Sequence, residues 1–213
     1  LHPAAARSGG ERGDRRPPFL REEIRMKQAS SLSYGHRKSI RLPGYDYAQS
    51  GAYFVTLCTH KHRCLFGRIV EEKMVLNHLG HIVQEEWVRS ADIRKEIDLD
   101  AYVVMPNHIH GIVFIDSYRV AEEVNDSFQE KKAHVSQQKG PTKKSLSSMV
   151  AGFKSAVTKR QRALAGQTKE SVWQRNYYEH IIRNDVEFQM VREYIVTNPI
   201  SWERDKLHPV FGS

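Results

Sequence analysis

The chain has 213 residues, and its 33 lysines and arginines against 25 aspartates and glutamates give a formal net charge of +8 at pH 7. This length can bury one substantial hydrophobic core, and the basic excess favours a partner that carries phosphate groups. Its 2 cysteines exclude a disulfide framework, and the lack of a membrane-length apolar run or a signal peptide predicts a cytoplasmic protein with no membrane partner. Residues 1–34 are polar and lack apolar periodicity, so we expect a disordered leader, then a folded domain at 35–200 and a tail at 201–213.

Basic residues lead into the first predicted strand, at Arg37, Lys38 and Arg41. Two interpretations stay open for them: contact with the phosphates of DNA, or ordinary solvated charges. The β-rich run Tyr53–Thr59 predicts the first strand of a sheet. Phe66–Val75 then predicts a hairpin at the edge of that sheet.

A helix follows the hairpin. Asn77 is a favourable N-cap residue, and the helical spacing of apolar residues runs to about Arg89. We expect this helix to pack on the sheet through its apolar face, which contains Leu79, Ile82, Val83 and Trp87.

The stretch Tyr102–Ile115, YVVMPNHIHGIVFI, predicts two buried strands joined at Pro106 and Asn107. Because side chains alternate faces along a strand, His108 and His110 project from the same side. Two imidazoles on one rigid face can share a metal ion. The alternative is a pair of polar residues at the edge of a strand.

A second His-x-His triplet occurs at His60, Lys61 and His62. A lysine stands between its histidines, and the triplet follows the end of an apolar run. We interpret it as a solvated turn, since a motif of this length also arises by chance.

Residues 117–141 are polar and unpatterned, which predicts an exposed insertion. Ser145 to about Ala165 then has the spacing of a helix with an apolar stripe. Basic residues cluster before and along this helix. They form either a track for a phosphate backbone, which we favour, or a solvated face: Lys143, Lys144, Lys154, Lys159 and Arg162.

The segment Val172–Arg183 mixes aromatic and basic residues, including Arg175, and much of it is predicted to be a strand. Its arginines are candidate phosphate ligands. The aromatic rings of Trp173 and Tyr177 suit either the stacking of bases or the hydrophobic core. His180 is either a residue that supports a metal ligand or a hydrogen-bonded strand histidine.

A short helix is predicted between Asn184, which forms a capping box with Glu187, and Pro199. Tyr194 and Asn198 are one turn apart and share a face of this helix. On periodicity alone, we favour the interpretation of Tyr194 as a half-buried core residue. The tail beyond Pro199 contains Trp202, and either docks across the domain or frays.

Three blocks, RLPGYDYAQSGAYFVTLCT, LDAYVVMPNHIHGIVFI and VWQRNYYEHIIRNDVEFQMVREYIVTNP, together resemble the single-tyrosine HUH transposases, most closely the REP-associated tyrosine transposases. The resemblance implies an α+β fold in which an antiparallel sheet is flanked by helices in a ferredoxin-like arrangement. It implies that His108, His110 and Asn198 hold Mg²⁺ or Mn²⁺ and that Tyr194 is the nucleophile.

By the same resemblance, the protein cleaves and rejoins single-stranded or hairpin DNA through a 5′-phosphotyrosine intermediate, as a monomer or a homodimer. Two alternatives remain. One is a replication or conjugative nickase of the same chemistry, and the other is a catalytically inactive protein that binds single-stranded DNA.

Overall fold

The computed structural model describes residues 49–116, 144–165 and 170–209. The predicted leader at 1–34 and the predicted insertion at 117–141 lie outside the described residues. So do Arg37, Lys38, Arg41 and Lys143. In chain order the elements are β1 (Gly51–Cys58), β2 (Gly67–Val70), β3 (Lys73–Leu76), α1 (His78–Ile93), β4 (Ile97–Met105), β5 (His108–Ile115), α2 (Leu146–Ala165), β6 (Tyr178–Ile182) and α3 (Asp185–Thr197).

Four of the strands form an antiparallel sheet in the order β4-β5-β1-β6. With α1 after β1 and α2 after β5, the order of elements around this sheet is β-α-β-β-α-β, as in ferredoxin-like folds. The α+β class and the antiparallel sheet flanked by helices, both predicted from the sequence, are confirmed. No helix in the described ranges has the length and apolarity that crossing a bilayer requires.

Alternation of side chains divides the sheet into two unlike faces. On one face Tyr53, Val55 and Leu57 join the main hydrophobic core with residues of α1 and α2. Gly111 lies on this face, where a Cβ atom would come within 2.4 Å of the Trp87 ring. The glycine therefore allows the α1 indole to approach the backbone of β5 closely.

The opposite face carries α3. Phe188 of this helix lies over Phe114 of β5, with ring centroids 5.8 Å apart, and Val191 and Ile195 are fully buried. Both histidines of β5 belong to this face. The sheet thus separates the layer of α1 and α2 from the layer that contains the histidine pair.

Three sequence predictions need correction. Within the described ranges, the strands β2 and β3 pair only with each other, so the hairpin is present but forms a two-stranded sheet separate from the four-stranded one. Helix α1 continues to Ile93, one turn beyond the predicted end. The strand predicted across 172–183 is limited to β6, because Trp173 turns into the core beside Phe66 and Phe153, at 5.3 and 5.5 Å between ring centroids.

Candidate active site

The two histidines of β5 lie side by side beneath α3. His108 and His110 are 0% and 2% exposed, and their ring centroids are 4.4 Å apart. They directly follow the Pro106-Asn107 turn that joins β4 to β5, which brings them to one end of the sheet. Both side chains project from the same face of β5, as predicted from the alternation along a strand. The other triplet, His60–His62, forms a 3₁₀ turn in which Lys61 has a left-handed φ of 58°, as expected for a turn.

Hydrogen bonds on the Nδ1 side orient both rings. Nδ1 of His108 lies 2.7 Å from Oδ1 of Asn107, and Nδ1 of His110 lies 2.9 Å from Oγ1 of Thr56. A metal-binding histidine in proteins is usually held in this way, with one ring nitrogen bonded to the protein and the other directed at the ion. Nε2 is therefore the ring nitrogen that each histidine can offer to a ligand.

Tyr194 reaches this pair from α3. Its hydroxyl lies 3.4 Å from Nε2 of His110, and the two ring centroids are 5.3 Å apart. The Phe54 ring stacks on His110 at 5.3 Å and meets the edge of Tyr194 at 6.2 Å, so one phenylalanine supports both. Tyr194 is half-buried. Its hydroxyl is directed at the histidine pair. A tyrosine that only filled the core would not need this placement.

Asn198 continues the helical geometry at the end of α3, with φ −59° and ψ −41°. Its side chain is 1% exposed and forms no cap hydrogen bond. Within the described residues, its buried Oδ1 has no hydrogen-bond partner. A buried amide oxygen without a donor is costly unless an ion or water completes it, which suits the role of a metal ligand.

Asp205 is a candidate metal ligand that the sequence did not predict. Ligand atoms of His108, His110 and Asp205 all lie within 4.8 Å of one another. The tail brings the aspartate there through a 3₁₀ turn at Pro199–Arg204, whose Trp202 is buried with its ring centroid 6.1 Å from that of His108. The predicted alternative of a docked tail is therefore the observed one, at least as far as residue 209.

The donor set fits a divalent cation. Two imidazole nitrogens and a carboxylate oxygen converge, and a buried amide oxygen stands at the end of α3. Nitrogen ligands alone favour later transition metals, whereas added oxygen ligands are compatible with Mn²⁺. Among the described residues, this cluster of His108, His110 and Asp205 could hold a metal ion.

Two polar contacts fasten α3 to opposite edges of the sheet. Near the start of α3, Oε1 of Glu187 lies 2.6 Å from Nε2 of His180 on the edge strand β6. Further along, Arg192 donates to Asp100 on the other edge strand, β4, at 2.9 Å. The prediction that His180 supports a metal ligand directly stays a prediction, because the contact described for it is with the helix that carries Tyr194.

Glu187 also shows how the start of α3 is capped. Asn184 accepts from the Glu187 N–H at 2.9 Å, as a capping box requires, but the Glu187 carboxylate bonds the N–H of Arg183, one residue earlier than in the standard box. Burial alone would raise the pKa of Glu187. The hydrogen bonds from Arg183 and His180 outweigh burial and hold this pKa below its usual value.

The basic residues of α2 lie in the layer on the far side of the sheet from the histidines. They border an open groove of about 500 Å³, lined by Lys154, Ser155, Thr158, Lys159 and Arg162. Nζ of Lys154 donates to the backbone carbonyls of Gln174 and Asn176 at 2.9 and 3.1 Å. Desolvation by burial lowers the pKa of Lys154 to about 8.

Lys154 is thus partly engaged in holding the segment before β6, whereas other predicted phosphate ligands are exposed: Lys144, Lys159, Arg162, Arg175 and Arg183. A role in DNA binding stays a prediction for all of them.

The structure is similar to that of a REP-associated tyrosine transposase bound to a REP hairpin, with a TM-score of 0.50 and 18% sequence identity over 78% of this chain and 74% of that one. The fold is therefore that of the REP-associated tyrosine transposases, and the resemblance seen in the sequence is confirmed at the level of the fold. A putative transposase from Deinococcus radiodurans aligns with a TM-score of 0.36 and 18% identity, over 75% of this chain and 96% of that chain.

At the level of sequence, the chain is 41% identical over 175 residues to an uncharacterized protein of Haemophilus influenzae, covering 81% of this chain and 93% of that protein. The chain belongs to the same family as this Haemophilus influenzae protein. No family model matches the chain.

Proposed function

We propose that the protein is a metal-dependent DNA transposase that cleaves and rejoins single-stranded DNA with Tyr194 as the nucleophile, at hairpin-bearing repeats. The observation that carries the proposal is the position of the Tyr194 hydroxyl, 3.4 Å from Nε2 of His110 in a cluster with His108 and Asp205. The fold adds support, because the solved transposase that shares it is bound to a REP hairpin.

The cleavage step needs a phenol to act on a phosphodiester. With an ordinary tyrosine pKa of about 10, a phenol is almost wholly protonated at neutral pH and is a poor nucleophile. Mg²⁺ or Mn²⁺ held by His108, His110, Asp205 and Asn198 would offset charge on the phosphate oxygens and favour loss of the phenol proton. The edge contact between the Phe54 and Tyr194 rings and the two polar contacts of α3 would fix the direction of attack.

In this step the Oη–P bond forms as the P–O3′ bond breaks. Tyr194 gives up its proton and the departing 3′-oxygen gains one, so protons balance and no redox partner is needed. The product is a 5′-phosphotyrosine and a free 3′-hydroxyl. Because the phosphotyrosine remains a phosphodiester, a 3′-hydroxyl of another strand can reverse the step and complete strand transfer.

The proposed DNA path runs around the β6 edge of the sheet, since the basic groove and the histidine pair lie on opposite faces. Lys159 and Arg162 border the groove, and Lys154 joins it to the segment that carries the exposed Arg175. Arg183 directly follows β6 and lies two residues before the start of α3. A strand bound along these residues would meet phosphate-binding groups on both sides of that edge.

The test is incubation of the protein with labelled single-stranded hairpins and Mn²⁺, followed by denaturing electrophoresis. We expect a covalent protein–DNA band that is absent with Tyr194→Phe, with His108→Ala and with a chelator. Tyr178→Phe is the matched control. Tyr178 lies on β6 and contacts the same Phe54 ring, with 6.2 Å between the ring centroids. This substitution should leave the band intact.

Equal covalent product from Tyr194→Phe would refute the proposed nucleophile. Binding of hairpins by the wild type without cleavage would favour the inactive binding protein. Cleavage with religation confined to the original strand would favour a nickase.

The oligomeric state, monomer or homodimer, remains a prediction from the sequence. So does the cytoplasmic location.

A further inference from the structure

We propose that Asn107 is the positioning residue of the metal cluster, and that its one side chain controls both the ring of His108 and the tail segment that carries Asp205. This inference rests on the proposed function only in so far as the cluster binds a divalent metal. Its test needs no DNA and no cleavage.

Asn107 is wholly buried in the turn between β4 and β5. Its Nδ2 donates to the carbonyl of His62 at 3.0 Å and to that of Leu207 at 2.5 Å, while its Oδ1 lies 2.7 Å from Nδ1 of His108. One amide therefore connects three separate parts of the chain: the 3₁₀ turn after β1, the start of β5 and the tail.

These contacts fix the tautomer of His108. The two backbone carbonyls around Nδ2 can only accept, so the amide nitrogen of Asn107 must face them and the amide oxygen must face the imidazole. An amide oxygen cannot donate, so Nδ1 of His108 carries a proton. In a neutral imidazole the other nitrogen, Nε2, then presents its lone pair to the cluster.

The Nδ1 contact of His110 is of a different kind. This nitrogen faces the hydroxyl of Thr56, which can either donate or accept, so the contact does not by itself set the tautomer of His110. The contact between His108 and the amide oxygen of Asn107 does set the tautomer of His108. His108 is therefore the ligand that Asn107 prearranges.

The same amide holds Asp205 through Leu207. The carbonyl of Leu207 accepts from Asn107, and its N–H donates to Oδ1 of Asp205 at 2.8 Å. The tail is thus anchored to the turn that precedes His108 by a bond directly beside the carboxylate. Loss of the Asn107 amide nitrogen should release this anchor even where the contact with His108 survives.

Two substitutions separate these effects. Asn107→Leu removes both the acceptor and the donor, and should weaken Mn²⁺ binding by about 10 to 100-fold, the range for lost partners of metal-binding histidines. Asn107→Asp keeps an oxygen that accepts from His108 but loses the donor to the carbonyls of His62 and Leu207. It should keep the Nδ1-protonated form of His108 and bind Mn²⁺ more tightly than Asn107→Leu, while the tail amides at Leu207 and His208 exchange faster with solvent.

Three measurements on the full chain without DNA read this out: electron paramagnetic resonance of free Mn²⁺ for affinity, ¹⁵N chemical shifts of the imidazole for the tautomer, and amide hydrogen exchange for the tail. Wild-type Mn²⁺ affinity in Asn107→Leu would overturn the proposal. So would loss of the His108 tautomer in Asn107→Asp, or unchanged exchange of its tail amides. The Asp variant preserves the size of the side chain and an acceptor oxygen for His108, so the proposal stays testable if the Leu variant does not fold.

Asn77→Leu is the matched control. Asn77 also uses both amide atoms, accepting from the Gly80 N–H at 2.9 Å and donating to the Leu65 carbonyl at 3.0 Å, but it caps α1. Its loss should lower stability and leave Mn²⁺ affinity unchanged.

His108→Ala separates the role of Asn107 from the existence of the metal site. If it abolishes Mn²⁺ binding while Asn107→Leu does not, only the role of Asn107 is wrong, and if it leaves binding intact, the metal site itself is wrong.

Discussion

Asn198→Ala should separate metal binding from stability at the end of α3. The side chain is buried, forms no cap hydrogen bond, and its Oδ1 has no partner among the described residues. Removing an unsatisfied buried amide relieves a desolvation cost of about 1–3 kcal/mol, and the packing lost with the side chain offsets part of that gain. The melting temperature of the metal-free protein should therefore stay within about 3 °C of wild type, at about 2–4 °C per kcal/mol for a domain of this size.

The effect of Mn²⁺ on stability should change much more. At a Mn²⁺ concentration of about 100 times the wild-type Kd, binding stabilises the folded protein by about 2.7 kcal/mol. If the loss of the amide raises Kd by about 10 to 100-fold, the same concentration stabilises the variant by only about 1.4 to 0.4 kcal/mol. The metal-dependent rise in melting temperature should fall from about 5–10 °C to about 1–5 °C.

Calorimetric melting of both proteins with and without Mn²⁺ measures this difference. Asn184→Ala is the control at the other end of the same helix, where the side chain accepts from the Glu187 N–H at 2.9 Å. Loss of that N-cap should cost about 0.5–2 kcal/mol whether or not metal is present. An unchanged Mn²⁺ increment in Asn198→Ala would refute the ligand role, and a lower metal-free melting temperature alone would identify Asn198 as a cap.

Three further predictions concern charged residues outside the cluster. Replacing Lys159 and Arg162 together by alanine should reduce the slope of log affinity against log salt by about 1.4 for single-stranded DNA, measured by fluorescence anisotropy, and an unchanged slope would leave both as solvated charges. Because contacts with His180 and the backbone depress the pKa of Glu187, its carboxylate stabilises the fold above the unfolded pKa of about 4.3, and this contribution is lost as pH falls. Urea unfolding of Glu187→Gln should lack that acid dependence. Burial lowers the pKa of Lys154 to about 8, so the unfolded chain binds this proton more tightly and wild-type stability should rise from pH 8 towards 10, a rise absent in Lys154→Met.

Local patterns were enough to predict most elements of the fold. The spacing of Leu146, Met149 and Val150 places them on one face of α2, and all three are buried there. The alternation along β5 likewise put His108 and His110 on a common side. In each case the period of the apolar residues is that of the element itself, so no long-range information is needed.

Contacts distant in sequence were out of reach. Asp205 enters the cluster only because Trp202 docks beside His108, and no spacing within the tail indicates that docking. The sequence predicts Lys154 as a phosphate ligand, whereas in the structure its amine donates to the carbonyls of Gln174 and Asn176. Both outcomes depend on which segments meet across the sheet.

The two polar contacts of α3 lie at different distances from the nucleophile. At about 1.5 Å of rise per residue, Tyr194 lies about 10 Å along the helix axis from Glu187 but only about 3 Å from Arg192. The partners of these residues, His180 and Asp100, stand on the two edge strands of the sheet, so α3 is held across the full width of the four strands. The placement of Tyr194 beside His110 therefore depends on β4 and β6 as well as on β5.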